Sequence, residues 1–246
     1  MIYVFGRFGY LGRNLIPFLE NKGWDVYGIG RKDKWPKFRP EDTVINCACA
    51  GWMPWDEPDK WDMWESNAVL PGRIAKELNG ANMIHMGASV EWLKPDIPYS
   101  WTKAQASETL LKMKCAHVCY VYTIFGGKDP ARFRFMDSFI EAVKTGKPYT
   151  LTEPYGTRDW MHVDRICEGI ESLVNDRDHR QHHFGSGVTR KFIDVLKLAK
   201  EVTGKPLDNI KISKAYNCTV WQGAKPPFFK DSFVNDFTKE TKGGSS

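Results

Sequence analysis

The chain of 246 residues contains no apolar run close to the roughly 20 residues that a membrane-spanning helix requires. Its first residues lack the pattern of a signal peptide. The six cysteines form no pair of CxxC motifs, so we expect no metal site and reduced thiols in a cytoplasmic protein. Internal repeats and long low-complexity tracts are also missing. What remains is a globular protein of one domain, or of one domain and a small lobe.

Charge of one sign is not concentrated anywhere in the sequence. The net charge is +5, but no dense basic block accompanies it. The aromatic residues are spread through apolar runs and loops instead of alternating with Lys and Arg on one face. A nucleic-acid partner is therefore disfavoured, and an anionic small molecule suits the charge equally well.

The most informative stretch lies at the start of the chain. The apolar run 2–5 predicts a buried strand, and Gly6, Gly9 and Gly12 follow it at once. Helical spacing of apolar residues comes next, and a second apolar run covers residues 24–29. Strand, glycine turn, helix and strand make up half of a dinucleotide-binding fold.

Glycines in such a turn allow a tight bend, close approach of a pyrophosphate and packing of the helix on the strand. The pyrophosphate is expected at the helix N-terminus, where unpaired N–H groups favour an anion. The alternative is a glycine-rich turn in another α/β protein. Pro17 is expected to kink the helix. The residues predicted to contact the dinucleotide here are Gly6, Arg7, Phe8, Gly9, Tyr10, Leu11 and Gly12.

The end of the second strand predicts which dinucleotide binds. NAD sites usually carry an acidic residue there, whereas a basic residue accommodates the 2′-phosphate of NADP. This chain has Arg31 and Lys32, with Arg7 in the glycine turn, and a guanidinium forks well onto phosphate oxygens. We therefore favour NADP. In the alternative, the basic residues are solvated and Asp33 reaches the ribose of NAD.

Strands and helices alternate through the first half of the chain. Strands are predicted at 43–50, 82–86 and 117–125, with helices at 60–78 and 99–113 between them. This order predicts an α/β fold, a Rossmann-type doubly wound parallel sheet. The third predicted strand, 43–50, ends in small residues, among them Cys47 and Ala48, which would let a cofactor lie close.

The second half is less regular. Helices are predicted at 134–144, 163–173 and 192–202, whereas 205–241 show little periodicity and 90–98 read as a loop. We expect a dinucleotide-binding domain with the catalytic residues at 1–150, a small, reduced substrate lobe at 151–241 interleaved with it, and a disordered tail at 242–246.

Tyr99 and Lys103 are four residues apart at the start of a predicted helix, so both face the same side. A phenol exchanges protons near neutral pH only when its phenolate is stabilised, and an ammonium group one turn away does this. The Lys103 ammonium could also hold a ribose of the cofactor. Ser89, after the preceding strand, could hydrogen-bond the substrate oxygen. Together the three residues would move a proton while a nicotinamide moves a hydride.

These motifs resemble the extended short-chain dehydrogenases/reductases, the branch of nucleotide-sugar epimerases, dehydratases and reductases. The resemblance covers about residues 1–204. It rests on Gly6-x-x-Gly9-x-x-Gly12, the strand 44–48, Asn67, Tyr99-x-x-x-Lys103, the stretch 156–164, which is similar to the family's RDxxHVxD stretch, and the glycine turn 184–187.

The resemblance implies further roles in ligand binding. Asn67 is expected beside the cofactor, and Arg158 on the nucleotide diphosphate of a nucleotide sugar, with help from Arg132 and Arg134. Members of the family often pair through the helices equivalent to 60–78 and 99–114, which implies a homodimer. The apolar residues of those helices are explained equally by packing on the sheet.

Two departures from the family pattern affect the predicted chemistry. The usual catalytic Ser or Thr corresponds to Gly87 here, so either Ser89 replaces it through a shifted loop or the hydroxyl is missing. We expect Ser89. The acidic pair that the family's 4,6-dehydratases carry is also absent from 88–91, Ala-Ser-Val-Glu, so a dehydratase is disfavoured.

The sequence thus predicts an NADP- or NAD-dependent epimerase of a nucleotide-activated sugar that acts through a keto intermediate. A reductase of a keto-sugar nucleotide would use the same residues once. A protein that binds dinucleotide without catalysis is the third alternative, since Gly87 lacks the usual hydroxyl.

Overall fold

The computed structural model describes residues 1–51, 60–93, 97–127, 135–213, 223 and 228–242. The chain divides into two compact units. The first comprises Met1–Val121 and Asp164–His183, and the second comprises Tyr122–Val163 and Phe184–Ser246. The assignment of the dinucleotide to residues 1–150 and of the substrate to residues 151–241 stays a prediction.

Strands are β1 (Ile2–Phe5), β2 (Val26–Ile29), β3 (Thr43–Asn46), β4 (Asn82–Ala88), β5 (His117–Val121), β6 (Thr123–Phe125), β7 (Tyr149–Leu151), β8 (Thr157–Arg158), β9 (Trp160–His162), β10 (Gln181–Phe184), β11 (Arg190–Lys191) and β12 (Ile210–Ile212). Helices are α1 (Tyr10–Asn21), α2 (Lys60–Trp64), α3 (Leu70–Glu77), α4 (Val90–Leu93), α5 (Pro98–Met113), α6 (Phe135–Thr145), α7 (Val163–Ser172), α8 (Phe192–Thr203) and α9 (Phe233–Lys242). A π-helical segment, Glu65–Val69, joins α2 to α3.

The first unit is built on a six-stranded sheet in the order β10-β5-β4-β3-β1-β2. All pairings among β1 to β5 are parallel. The chain moves from β1 outward to β2 in one direction and from β3 through β4 to β5 in the other. The strand order therefore reverses between β1 and β3, which is where open α/β sheets bind ligands beyond the carboxyl ends of the strands. The predicted Rossmann-type fold is confirmed.

Helix α1 packs on the sheet through Leu15 and Leu19, both fully buried, as the helical spacing predicts. It also continues through Pro17, which the sequence predicts as a kink. Pro17 lies on the exposed side of α1. Water can therefore satisfy the Arg13 carbonyl that loses its backbone donor there.

Several segments differ from the sequence prediction. The predicted strand 117–125 divides into β5 and β6, which belong to different sheets, and two unpredicted helices are present. Residues 90–93 form the short helix α4 where a loop is expected, and Ser89 begins it because its carbonyl accepts the Leu93 N–H at 3.3 Å. Residues 233–242 form α9 in a region without evident periodicity, and Phe233, Phe237 and Thr241 are buried at a spacing of four. Residues 243–246 of the predicted tail lie outside the described part of the chain.

The second unit has its own core, with aromatic residues from α6, α8, α9 and β9 packed together. Trp160 stacks on Phe233 with ring centroids 5.7 Å apart, and Phe139 stacks on Phe237 at 6.3 Å. Short two-stranded pairs, β6 with β9, β7 with β12 and β8 with β11, frame this core. None of the helices in the described ranges is long and apolar enough to span a membrane.

Candidate active site

The glycine turn lies between β1 and α1, at the carboxyl end of β1. Gly6 has a φ of +83°, and a Cβ on it would lie 2.8 Å from the Ala48 backbone nitrogen after β3. A Cβ on Gly12 would collide with the Gly6 carbonyl oxygen. Two of the three glycines are thus required by backbone packing, which brings the ends of β1 and β3 against each other.

The N-terminus of α1 suits an anion. Gly9 precedes the helix without a side-chain cap, and the first turn of α1 carries no acidic residue. The N–H groups of this turn therefore have no competing carboxylate on their own helix. A helix N-terminus beside a glycine turn at the sheet's switch point fits the pyrophosphate of a dinucleotide.

Arg7 connects the glycine turn to the end of β2. Its Nη1 donates to the Gly28 carbonyl at 3.0 Å and pairs with Asp33 Oδ2 at 3.1 Å. Its guanidinium also lies 4.5 Å from the centroid of the Phe8 ring, which is 64% exposed. Asp33 Oδ2 accepts the Gly30 N–H at 2.8 Å. Both an arginine and a carboxylate therefore stand where a ribose or its 2′-phosphate would bind.

Arg31, the residue predicted to read the 2′-phosphate, lies after β2 and is exposed. It pairs with Asp62 of α2 at 3.1 Å, and its Nη2 donates to Ser66 Oγ at 3.2 Å. Its neighbour Lys32 is exposed as well. An exposed ion pair of this kind contributes at most about 1 kcal/mol, so Arg31 can exchange a carboxylate for a phosphate at small cost.

Cys47 and Ala48 lie beside the glycine turn and directly after β3, which ends at Asn46 and is shorter than the predicted strand 43–50. Burial raises the pKa of the Cys47 thiol, so it is a neutral lining group and not a nucleophile. The Asn67 side chain accepts the Ala50 N–H and donates to the Ala50 carbonyl, both at 2.8 Å. Asn67 is fully buried in the π-helical segment, where it fixes the loop after β3 at Ala50.

Tyr99 and Lys103 lie one turn apart on α5, and both are buried, with 9% and 3% of their surfaces exposed. The Lys103 ammonium donates to the Met86 carbonyl of β4. Thr102 connects this turn to the Asn67 side chain that binds Ala50. The Thr102 hydroxyl donates to the Tyr99 carbonyl at 2.9 Å and accepts from Asn67 Nδ2 at 3.2 Å. The first turn of α5, with Tyr99 and Lys103, is thereby fixed to β4 and to the loop after β3.

Ser89 lies directly after β4 and is 2% exposed. Its backbone N–H donates to the Val121 carbonyl at 3.0 Å. At Gly87, a Cβ would lie 2.9 Å from the Tyr120 ring and 3.0 Å from Glu91 Oε1. A Ser or Thr at position 87 would therefore need both neighbours to move.

Arg158, the residue predicted to bind the nucleotide diphosphate, belongs to β8 of the second unit. It pairs with Glu153 at 3.4 Å and lies 5.3 Å from the ring centroid of Phe192. Burial lowers the pKa of its guanidinium. Arg132 and Arg134, the other two predicted substrate residues, lie outside the described residues.

The polar residues of the RDxxHVxD stretch take part in structural contacts. Asp159 is 1% exposed and accepts the N–H groups of Ser186 and Gly187, at 3.0 and 2.9 Å. His162 Nε2 lies 2.8 Å from Glu240 of α9. The contact between Glu240 and His162 could not be predicted from the sequence, because 78 residues separate them.

Glycine turn, switch point and buried Tyr–Lys pair define a dinucleotide-binding protein of the short-chain dehydrogenase type. The chain belongs to the NAD dependent epimerase/dehydratase family, whose model matches residues 2–185. No protein of curated function matches it by sequence.

Solved structures with the same fold include three nucleotide-sugar proteins. MoeE5 in complex with UDP-glucose and NAD is 16% identical with a TM-score of 0.74, and the match covers 100% of this chain and 99% of that one. UDP-N-acetylglucosamine 4-epimerase from Methanobrevibacter ruminantium M1 is 15% identical with a TM-score of 0.76, covering 98% and 96%. dTDP-4-dehydrorhamnose reductase from Bacillus anthracis, in complex with NADP, is 12% identical with a TM-score of 0.75, covering 99% and 98%.

Proposed function

We propose that this protein is an epimerase of a nucleotide-activated sugar that uses a nicotinamide dinucleotide. The observation that carries the proposal is the buried pair of Tyr99 and Lys103 on one face of α5, in a chain of the epimerase/dehydratase family. The segment 88–91, Ala-Ser-Val-Glu, lacks the acidic pair that the family's 4,6-dehydratases carry, which disfavours dehydration. The fold that the chain shares with a sugar-nucleotide epimerase is compatible with this function, and a reductase and a dehydratase share the same fold.

In this mechanism Tyr99 removes the proton of a sugar hydroxyl and later returns it. The Lys103 ammonium stabilises the phenolate, and the Ser89 hydroxyl orients the reacting oxygen. A nicotinamide dinucleotide, when bound, supplies hydride transfer. The sugar passes through a ketone and turns over before it is reduced on its other face. Arg158, with Arg132 and Arg134, binds the nucleotide diphosphate.

The dinucleotide bound to the freshly purified protein tests this function. An epimerase regenerates its cofactor in each cycle, so we expect near-stoichiometric oxidised dinucleotide after denaturation, identified by mass spectrometry. We also expect interconversion of epimers in a panel of UDP-, dTDP- and GDP-hexoses without net consumption of NADPH. An empty protein that binds NADPH reversibly and reduces a keto-sugar nucleotide would replace the epimerase with a reductase. A protein that binds neither dinucleotide would refute the site itself.

We further propose NADP as the cofactor, with Arg31, Lys32 and Arg7 around its 2′-phosphate. Replacing Arg31 with Ser should weaken NADPH binding about 10- to 100-fold and leave NADH binding nearly unchanged, because a charge-assisted contact to phosphate contributes about 1.5–3 kcal/mol. The dissociation constants can be measured from the nicotinamide fluorescence.

Lys34→Ser is the matched control, since it removes an equal charge from an exposed position in the same loop. Equal weakening by both substitutions would indicate long-range charge alone. A wild-type protein that prefers NADH would instead assign the ribose to Asp33 and make NAD the cofactor.

We also propose that two copies pair through α2 and α5. Trp61 and Trp101 are 65% and 52% exposed, and Trp64 stacks on Trp101 with ring centroids 5.3 Å apart. An apolar face of this kind is typical of an interface. Sedimentation velocity measures the association, and a monomer at micromolar concentration would refute it.

The five described cysteines are free thiols, which supports a cytoplasmic location.

A further inference from the structure

The segment 173–182, which we call the strap, follows α7 and runs into β10 across the amino ends of β3, β4 and β5. The Val174 carbonyl accepts from Thr43 Oγ1, at the start of β3, at 2.8 Å and from Asn82 Nδ2, at the start of β4, at 3.0 Å. All of these residues belong to the first unit. The strap therefore covers the end of the sheet opposite to the glycine turn.

Two histidines join the strap to β5. His117, the first residue of β5, is fully buried, and His182 is 7% exposed. His117 Nε2 donates to the Asp176 carbonyl oxygen at 2.9 Å, since a carbonyl can only accept. His117 Nδ1 lies 3.1 Å from His182 Nε2. In neutral rings His117 Nδ1 is then the acceptor and His182 Nε2–H is the donor, so the hydrogen bonds define one tautomer of His117.

This hydrogen bond between two imidazoles does not tolerate full protonation. Two protons added to the pair would set two N–H groups against each other, and one proton would leave a positive charge on a buried ring. Burial lowers the pKa of His117 and lowers that of His182 to about 4, and the positive charge of Arg180 acts in the same direction on both. The pair is therefore neutral while the strap is closed.

Other titratable or charged groups lie around the pair on the strap, on β10 and at the end of α5. They are Lys114, Asp176, Asp178, His179, Arg180 and His183. The Asp176 carboxylate pairs with Arg180 at 3.1 Å, so their opposite effects on the two rings partly cancel. The His179 ring lies 5.0 Å from that of His117, and a proton on one ring disfavours a proton on the other. Burial thus remains the main reason that the pair is neutral.

We propose that the strap is an acid-sensitive latch: the neutral pair of His117 and His182 holds the strap and the start of β10 on β5, and protonation of the pair releases them. β10 is an edge strand of the six-stranded sheet, so its release uncovers backbone groups of β5. The Val118 N–H, for example, would lose the Arg180 carbonyl to which it donates at 3.0 Å. This inference goes beyond the proposed function and does not depend on it.

The direction of the pH dependence follows from the protons bound by each form. A histidine released into water has a pKa of about 6.5, whereas the pKa of His182 in the closed strap is about 4. Below pH 6.5 the open form therefore binds more protons than the closed form, and acid favours opening. Between pH 7 and pH 5 the opening constant should rise about 20-fold from His182 alone.

Hydrogen exchange of the full chain, measured by mass spectrometry between pH 5 and pH 7, tests the latch. Opening constants are obtained for peptides that cover 114–121 and 173–184, after correction for the intrinsic exchange rate at each pH. We expect them to rise about 20-fold or more between pH 7 and pH 5. Peptides that cover β1 and β3 should change less than about 3-fold, because the opening is local.

His182→Gln removes one titrating ring and keeps an amide N–H that can donate to His117 Nδ1. We expect the rise between pH 7 and pH 5 to fall from about 20-fold to a few-fold. The matched control is His183→Gln, which removes the next histidine of β10. The ring of His183 lies 5.4 Å from that of Tyr120, outside the hydrogen-bonded pair, so this variant should keep most of the rise.

Long-range ¹H–¹⁵N spectra of the wild type at pH 7 give a second measurement, in case His182→Gln does not fold. They should show His117 protonated at Nε2 alone, and a doubly protonated ring there would overturn the inference. Opening constants that do not change with pH would overturn it too, as would an equal loss of the rise in both variants or a rise shared by all peptides of the first unit. These measurements use neither substrate nor dinucleotide, so failure of the proposed function would leave their result standing.

Discussion

Replacing Tyr99 with Phe is expected to reduce turnover of the nucleotide sugar about 10³-fold. The substitution removes one hydroxyl from a side chain that is 9% exposed, so the packing of the first turn of α5 should be retained. Proton transfer by a positioned side chain contributes about 10² to 10⁴ in rate. The affinity for the dinucleotide should change little, because Lys103 and the glycine turn are untouched. Steady-state kinetics and fluorescence titration with NADPH measure the two quantities separately.

Tyr155→Phe is the control, since it removes the same hydroxyl from a residue that is 60% exposed. It should leave turnover and affinity unchanged. Turnover of Tyr99→Phe equal to that of the wild type would remove Tyr99 from the mechanism. A parallel loss of dinucleotide affinity would instead give Tyr99 a role in binding.

Features set by neighbouring residues could be predicted from the sequence. The glycine turn, α1 and β2 follow from apolar spacing within 30 residues, and the pair Tyr99 and Lys103 falls on one helix face because four residues make about one turn. The parallel sheet follows from the alternation of strands and helices. The family assignment rests on the same local patterns.

Contacts between distant residues could not be predicted. The pairing of Arg31 with Asp62 spans 31 residues, and that of His162 with Glu240 spans 78. The sequence shows that position 87 has no hydroxyl. It does not show that the Glu91 carboxyl group lies beside Gly87, because this contact depends on the position of α4. Helix α4 has four residues, too few for a periodic signal.

The second large effect is expected for Gly6→Ala, which should abolish dinucleotide binding and destabilise the first unit. The new Cβ would lie 2.8 and 2.9 Å from the backbone nitrogen and Cα of Ala48. Backbone atoms of a neighbouring strand end cannot move aside as a flexible side chain does. The φ of +83° adds about 1–2 kcal/mol of strain for a residue with a side chain. We expect a total loss of about 3 kcal/mol or more in the free energy of unfolding.

Gly23→Ala separates the effect of backbone strain from the effect of the contact with Ala48. Gly23 has a φ of +85°, close to that of Gly6, and a Cβ on it would meet nothing within 4 Å. The free energy of unfolding of this variant should therefore fall by only about 1–2 kcal/mol, because of backbone strain, and the affinity for the dinucleotide should be kept. Urea unfolding gives the stabilities, and NADPH titration gives the affinities. If both variants lost stability equally and both bound NADPH, the contact between Gly6 and Ala48 would have no role in shaping the site. If Gly6→Ala alone lost binding, the approach of β1 to β3 would be what forms the cofactor cradle.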